Sequence, residues 1–212
     1  MGRPNPQTAP LPLLAPMLAT AGPLPGADRE AEYAYEPLWN GARILAHLPG
    51  NGTAMLLSAG VDVTADYPEL ARLPELLPHG LVTVLDGEII APDNRGRPSV
   101  ERLQLRRSWH HPTAVAHGAR DLPVRLVVYD VLHLAGPTVH LPYTARRALL
   151  DDLALIDRYV QVTSSWPAMA KEAWHFTREE GYEGIVAKRL SSLYLPGRRS
   201  RDWIKIKAPV PR

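Results

Sequence analysis

Glu36-Pro37-Leu38-Trp39-Asn40-Gly41-Ala42-Arg43 sets a carboxylate, an amide and a guanidinium close together in the chain. Four later segments carry groups of similar chemical use: Leu85-Asp86-Gly87-Glu88, Val127-Val128-Tyr129-Asp130-Val131-Leu132, Glu183-Gly184-Ile185-Val186-Ala187-Lys188-Arg189 and Trp203-Ile204-Lys205-Ile206-Lys207. Glu88 and Glu183 are carboxylates beside expected strand ends, suited to a hard cation such as Mg²⁺ or to a ribose hydroxyl. Tyr129 is a flat amphipathic ring of the kind that stacks on a base. Lys205 and Lys207 alternate along a strand, so both ammonium groups share one face and can neutralise phosphates. As a set, these groups are consistent with nucleotide binding. Taken singly, each has a plainer reading: Tyr129 as a core aromatic, the glutamates as surface carboxylates, the lysines as the charged face of an edge strand. Their joint order and context shift the balance towards a site.

The elements that must position these groups follow from periodicity and turn chemistry. Strands are expected at Tyr33–Pro37, Arg43–His47, Met55–Leu57, Leu81–Leu85, Glu88–Ala91, Val124–His133, Gly184–Lys188 and Trp203–Lys207. Pro49-Gly50-Asn51-Gly52 marks a hairpin turn between two of them. Helices are expected at Tyr67–Leu77 after Asp66, at Ala145–Leu153 after Thr144, and at Pro167–Glu180 capped by Ser164 or Ser165. A weaker pattern covers Val100–Arg107. Strands dominate and helices are interspersed irregularly, which argues for an α+β fold with largely antiparallel sheets. No Gly-x-Gly-x-x-Gly or P-loop pattern is present. Residues 1–15 and 209–212 read as tails around one domain at 16–208.

Composition narrows the classes. The 212 residues include no cysteine, which excludes disulfides, thiolate metal sites and cysteine nucleophiles. Net charge is +2, and arginine outnumbers lysine 20 to 4. Arg102, Arg106 and Arg107 form one basic cluster; Arg198, Arg199, Arg201, Lys205 and Lys207 form another. Such clusters bind phosphate or nucleic acid, or are simply solvated faces. Prolines break the apolar stretch Pro10 to Ala21, which argues against a signal peptide. The histidines show no metal-ligand spacing. The expected setting is cytoplasmic, with no membrane contact.

Read together, the five segments resemble the adenylation domain of ATP-dependent DNA ligases, most closely the ligase domain of bacterial end-joining ligases. Connecting text resembles it too: Pro16-Met17-Leu18-Ala19, Asp62-Val63-Thr64-Ala65-Asp66-Tyr67-Pro68, Gly96-Arg97-Pro98-Ser99 and Tyr194-Leu195-Pro196-Gly197-Arg198-Arg199. The resemblance implies the nucleotidyltransferase fold that ligases share with capping enzymes, with ATP or AMP and Mg²⁺ as ligands. It implies that Glu36 reads the adenine amino group, that Tyr129 stacks on the ring, and that Arg43 closes the first motif. Glu88 would serve the ribose or metal, Glu183 the metal, and Lys205 and Lys207 the phosphates. Lys188 enters as a possible site residue.

The departures from the family pattern concentrate on one step. The signature Glu-Pro-Lys-x-Asp-Gly-x-Arg carries the nucleophilic lysine that forms lysyl-AMP; here Leu38 holds its place and Asn40 replaces the acid. Leucine has no lone pair, and a guanidinium such as Arg43 stays protonated. The chain holds only Lys171, Lys188, Lys205 and Lys207. Ser58-Ala59-Gly60 lacks an arginine the family usually has there, and no OB-fold follows Lys207. Three readings follow. One is a domain that binds nucleotide or DNA ends without adenylating itself. Another is a partial enzyme that seals pre-adenylylated nicks. The third is a non-catalytic scaffold. Expected partners are DNA nicks or ends, and a repair protein or separate OB-fold in trans.

Overall fold

The alternation of Tyr33–Pro37 gives the first strand of the cleft two different faces. Tyr33 and Tyr35 point to one apolar cluster, while Glu36 lines the opposite side. The structure, a computed structural model, describes residues 11–208. Residues 1–10 of the tail expected at 1–15, and the tail expected at 209–212, lie outside the described residues. Residues 11–15 carry no regular element, yet Leu11 and Leu14 pack against the cluster formed by Met17, Tyr194 and Trp203.

Two sheets face each other. The first has five strands in the order β1-β11-β10-β2-β9: β1 Leu18–Ala21, β2 Tyr33–Pro37, β9 Trp166–Pro167, β10 Gly184–Arg189 and β11 Arg199–Lys207. The second has six, β5-β4-β3-β6-β7-β8: β3 Ala42–Leu48, β4 Met55–Ser58, β5 Val61–Asp62, β6 Thr83–Ile90, β7 Arg125–Leu134 and β8 Val160–Val162. Pairing is antiparallel except for β1 with β11 and β7 with β8. Neither sheet closes into a barrel. Among the described residues no helix is long and apolar enough to cross a membrane.

Helix α4 (Ala170–Glu179) covers the outer face of the first sheet, where Ala170 and Ala173 meet Tyr35, Ile185, Ala187 and Ile206. The largest core lies on the other face of the second sheet. There Ile44, Ala46, Leu85, Ile89 and Val128 pack with Leu103 of α1 (Val100–Arg107) and Leu150 of α3 (Tyr143–Asp152). Leu45, Val84 and Leu132 meet Met17, Tyr194 and Trp203 in a smaller cluster joining the two sheets.

Several expected elements change. Leu81–Leu85 and Glu88–Ala91 are one strand, β6, running straight through Asp86-Gly87. Gly87 belongs in it because a Cβ there would collide with the Val127 carbonyl of β7. The helix expected at Tyr67–Leu77 is instead two 3₁₀ turns, Pro68–Leu70 and Leu73–Leu76. Pro74 lacks the N–H that an α-helical ladder needs and clashes with the preceding turn. Leu70, Leu73 and Leu77 are nevertheless buried.

The expected Pro167–Glu180 helix starts at Ala170, because Trp166–Pro167 pairs as β9 with Ala34 and Tyr35. Neither serine caps it; the Glu30 carboxylate accepts from the Ala170 amide at 2.8 Å. Helix α3 begins after Pro142 rather than Thr144. Helix α2 (Pro112–Asp121) was not expected. Its signal was Pro112 at the first helical position, masked by Gly118, which lies tight against Trp109 and Arg106.

Candidate functional site

A cleft of about 220 Å³ opens between the sheets. From the first sheet β2 contributes Glu36, β10 contributes Val186 and Lys188, and β11 contributes Arg199, Trp203 and Lys205, with Leu38 following β2 directly. From the second sheet come Arg43 of β3, Glu88 of β6 and Tyr129 of β7. The register explains the grouping. Glu36 pairs with Val186 and Val186 with Lys205, so these three side chains stand in one row across β2, β10 and β11. The next row runs from Leu38 past Gly184, whose carbonyl accepts the Leu38 amide at 2.8 Å, to Lys207.

Tyr129 reaches the cleft through a bulge. Asp86 pairs with Asp130 and Gly87 with Val128, which leaves Tyr129 as the extra residue of β7. Its ring lies 4.8 Å from the Arg43 guanidinium and 4.7 Å from the Lys188 ammonium. Burial raises its hydroxyl well above the ordinary tyrosine range, with Arg43 opposing. Arg43 is held by Asp86 through two bonds of 2.6 and 2.5 Å. Tyr194 donates to the same carboxylate at 2.7 Å.

Glu88, like Trp203 with its buried Nε1, is an unsatisfied group of the cleft. Its Oε2 is sealed from solvent without a hydrogen-bond partner. Burial pushes its carboxyl up to about 7, against the pull of Arg43, the Gly41 amide and Lys205. Lys205 pairs with no carboxylate among the described residues.

Glu36 is engaged rather than free. Its Oε1 accepts from the Tyr143 hydroxyl at 2.6 Å, and its Oε2 lies 2.8 Å from Lys188 Nζ. Both Glu36 and Lys188 are buried. Trp203 stands 4.3 Å from the Lys188 ammonium, and Lys188 also donates to the Tyr129 carbonyl at 3.3 Å.

Three of the expected residues gather beside the cleft instead of in it. Asn40 Nδ2 donates to Glu183 Oε1 at 2.6 Å, and Lys207 Nζ lies 3.4 Å from Glu183 Oε2. Glu183 thus has both oxygens in use. Among the described residues no three His, Cys, Asp or Glu side chains converge on a metal site. The orphaned Glu88 oxygen fits a single-carboxylate contact to Mg²⁺, an ion that commonly takes one or two protein ligands beside substrate phosphates.

Sequence reasoning missed Arg199, Trp203, Trp39 and Tyr143. Arg199 lay within the basic cluster, and Trp203 and Trp39 lay inside the quoted segments, so their signal was available. Tyr143 had none, because only tertiary contact brings α3 to Glu36.

Residues 16–207 match the family model described as ATP dependent DNA ligase domain. The chain belongs to this family. It is 36% identical over 195 residues to the multifunctional non-homologous end joining protein LigD of Mycobacterium bovis, covering 92% of this chain and 24% of that protein. A DNA ligase of Thermococcus onnurineus is 30% identical over 182 residues, 84% of this chain and 32% of that protein. The ligase domain thus spans about a quarter to a third of these curated relatives. Among solved structures, mycobacterial DNA ligase D complexed with ATP and MES matches with a TM-score of 0.74 at 36% identity, over 92% of this chain and 60% of that one. The bacteriophage T7 ATP-dependent ligase in complex with ATP matches at a TM-score of 0.62 and 16% identity, covering 91% of this chain and 68% of that one, a likeness of fold.

Proposed function

We propose that this ligase domain binds an adenine nucleotide, ATP or AMP, in the cleft between its sheets without forming lysyl-AMP, and acts on DNA ends in repair. One observation carries the reading. Leu38 lines the cleft where the family's signature has its nucleophilic lysine, and its side chain offers no electron pair to attack the α-phosphorus. Glu36 is the base-reading group, Tyr129 and Trp203 are the aromatic surfaces, and Arg43, Lys205 and Arg199 meet the phosphates. Glu88 takes Mg²⁺ or the ribose. Lys188 contributes through Glu36. In this reading Glu183 does not act as a metal ligand but is tied to Asn40 and Lys207, and Lys207 serves the phosphates only when released. Similarity to end-joining LigD supports DNA nicks or ends as the substrate. A separate OB-fold protein or other repair factor as partner, and the cytoplasm as the setting, complete the proposal.

Incubation with α-labelled ATP and Mg²⁺ should leave no covalent adenylate on the protein. An acid-labile adduct would overturn the reading, and peptide mapping would then test Lys205 and Lys188 as nucleophiles. The Leu38→Lys, Asn40→Asp double variant should regain label if the rest of the pocket is competent.

A second reading rests on the phosphate-facing groups of the cleft, Lys205 and Arg199. Sealing a pre-adenylylated nick needs attack by the 3′-hydroxyl and release of AMP, with no lysine nucleophile. Joining of such a nick by the protein would favour this reading.

A further inference from the structure

We infer that Tyr143, which lies outside the cleft on α3, is a positioning residue for base selectivity, fixing the Glu36 carboxylate as an acceptor edge for a purine 6-amino group. The inference rests on the reading of the cleft as a nucleotide site and goes beyond it by naming what sets its selectivity.

A glutamate's terminal torsion is soft, so a carboxylate that must read a base edge has to be held by other groups. Here two donors hold it, one on each oxygen. Tyr143 donates to Oε1 at 2.6 Å, and Lys188 lies 2.8 Å from Oε2. The direction of the tyrosine proton follows from its surroundings. The Ser165 hydroxyl lies 3.1 Å from the Tyr143 hydroxyl, and the carboxylate can only accept. Tyr143 therefore gives its single proton to Glu36 and accepts from Ser165. Burial, with the Glu36 charge adding to it, keeps the phenol well above its ordinary range, so it remains a donor.

Lys188 is confined in the same way, with the Tyr129, Tyr143 and Trp203 rings 4.7, 5.4 and 4.3 Å from its ammonium. Each carboxylate oxygen retains an unused lone pair. Adenine's 6-amino group can donate to it, whereas guanine presents a carbonyl oxygen that the carboxylate repels. Without the Tyr143 hydroxyl, Oε1 is free to swing towards Lys188 or towards Arg147, whose Nη1 is 3.9 Å away. That would blur the edge without emptying the cleft.

Trp39 and Trp203 line the cleft, so their fluorescence can report titration of the full chain with ATP and with GTP. The wild type should prefer ATP by about tenfold or more, the worth of one hydrogen bond to a charged group. Tyr143→Phe should lower ATP affinity by about tenfold and leave GTP affinity near its starting value, so that the preference collapses. Ser165→Ala, which removes only the donor to Tyr143, should give a smaller loss of the same sign and serves if Tyr143→Phe fails to fold. Glu36→Gln should abolish the preference.

Equal loss of ATP and GTP affinity in Tyr143→Phe would reduce the residue to a structural one and overturn the inference. So would a wild type that binds both nucleotides equally, while leaving the nucleotide site standing. A wild type that binds neither would overturn the nucleotide-site reading and the inference together.

Discussion

Glu88 carries the most perturbed carboxyl of the cleft, and its sign has a measurable consequence. With burial raising it from 4.5 to about 7, the folded protein keeps a proton between those values that the unfolded chain has released. Stability from this group is therefore greatest below the unfolded value and falls as pH rises towards 7. Glu88→Gln removes the dependence. Relative to the wild type, it should gain on the order of 2–3 kcal/mol between pH 5 and pH 8, read by urea melts at both. A constant difference would mean that the carboxyl titrates normally. At this scale the chain was readable by residue type: Glu36, Arg43, Glu88, Tyr129, Lys188 and Lys205 all line the cleft. The state of each was not. That Glu183 is tied to Asn40, or Glu36 to Tyr143, depends on partners more than a hundred residues away in sequence.

Elements show where local rules held and where they yielded. Ser99 caps α1, its side chain accepting from the Arg102 amide at 3.3 Å, in keeping with the pattern read at Val100–Arg107. Helix α4 departs from that local logic, since its first amide is satisfied by Glu30 from a distant part of the chain. Glu30→Ala should cost about 1 kcal/mol, as loss of a cap does, with Ser165→Ala as a control that leaves the α4 cap intact. Chemical denaturation checks both.

The β4–β5 turn carries the segment that lacks the family's arginine. There Ala59 and Gly60 both have positive φ, 49° and 82°. A two-residue hairpin of this hand favours Asn-Gly, since alanine is strained in the left-handed region. Ala59→Asn should stabilise the protein by about 0.5–1 kcal/mol, measured as a rise in denaturation midpoint at constant m-value. The strands were legible because period-two alternation survives in the sequence. The proline-interrupted segment at Tyr67–Leu77 was misread because its apolar spacing matches a helix while Pro74 forbids one.

Across the whole molecule, Arg146 ties the parts that frame the cleft. It bonds Asp130 of β7 at 2.8 and 3.0 Å, and donates to the carbonyls of Leu141 at 2.6 Å and Ser192 at 3.0 Å. It is fully buried. Arg146→Met would leave Asp130 charged and unpaired inside the protein, a loss of about 3–5 kcal/mol. Thermal unfolding should show that loss, with Arg147→Met, whose partner Asp151 is exposed, costing far less.

The sequence by itself determined the family and the α+β class. It also determined that no amine stands where the signature has its nucleophile, because residue identity and order are local properties. The tertiary structure decided which charges face the cleft and which are spent on one another. It ran β6 unbroken past Gly87, bulged Tyr129 into the cleft, and brought Tyr143 from α3 to Glu36. Those outcomes depend on distances between segments that only packing brings together, so no reading of neighbours in the chain contains them.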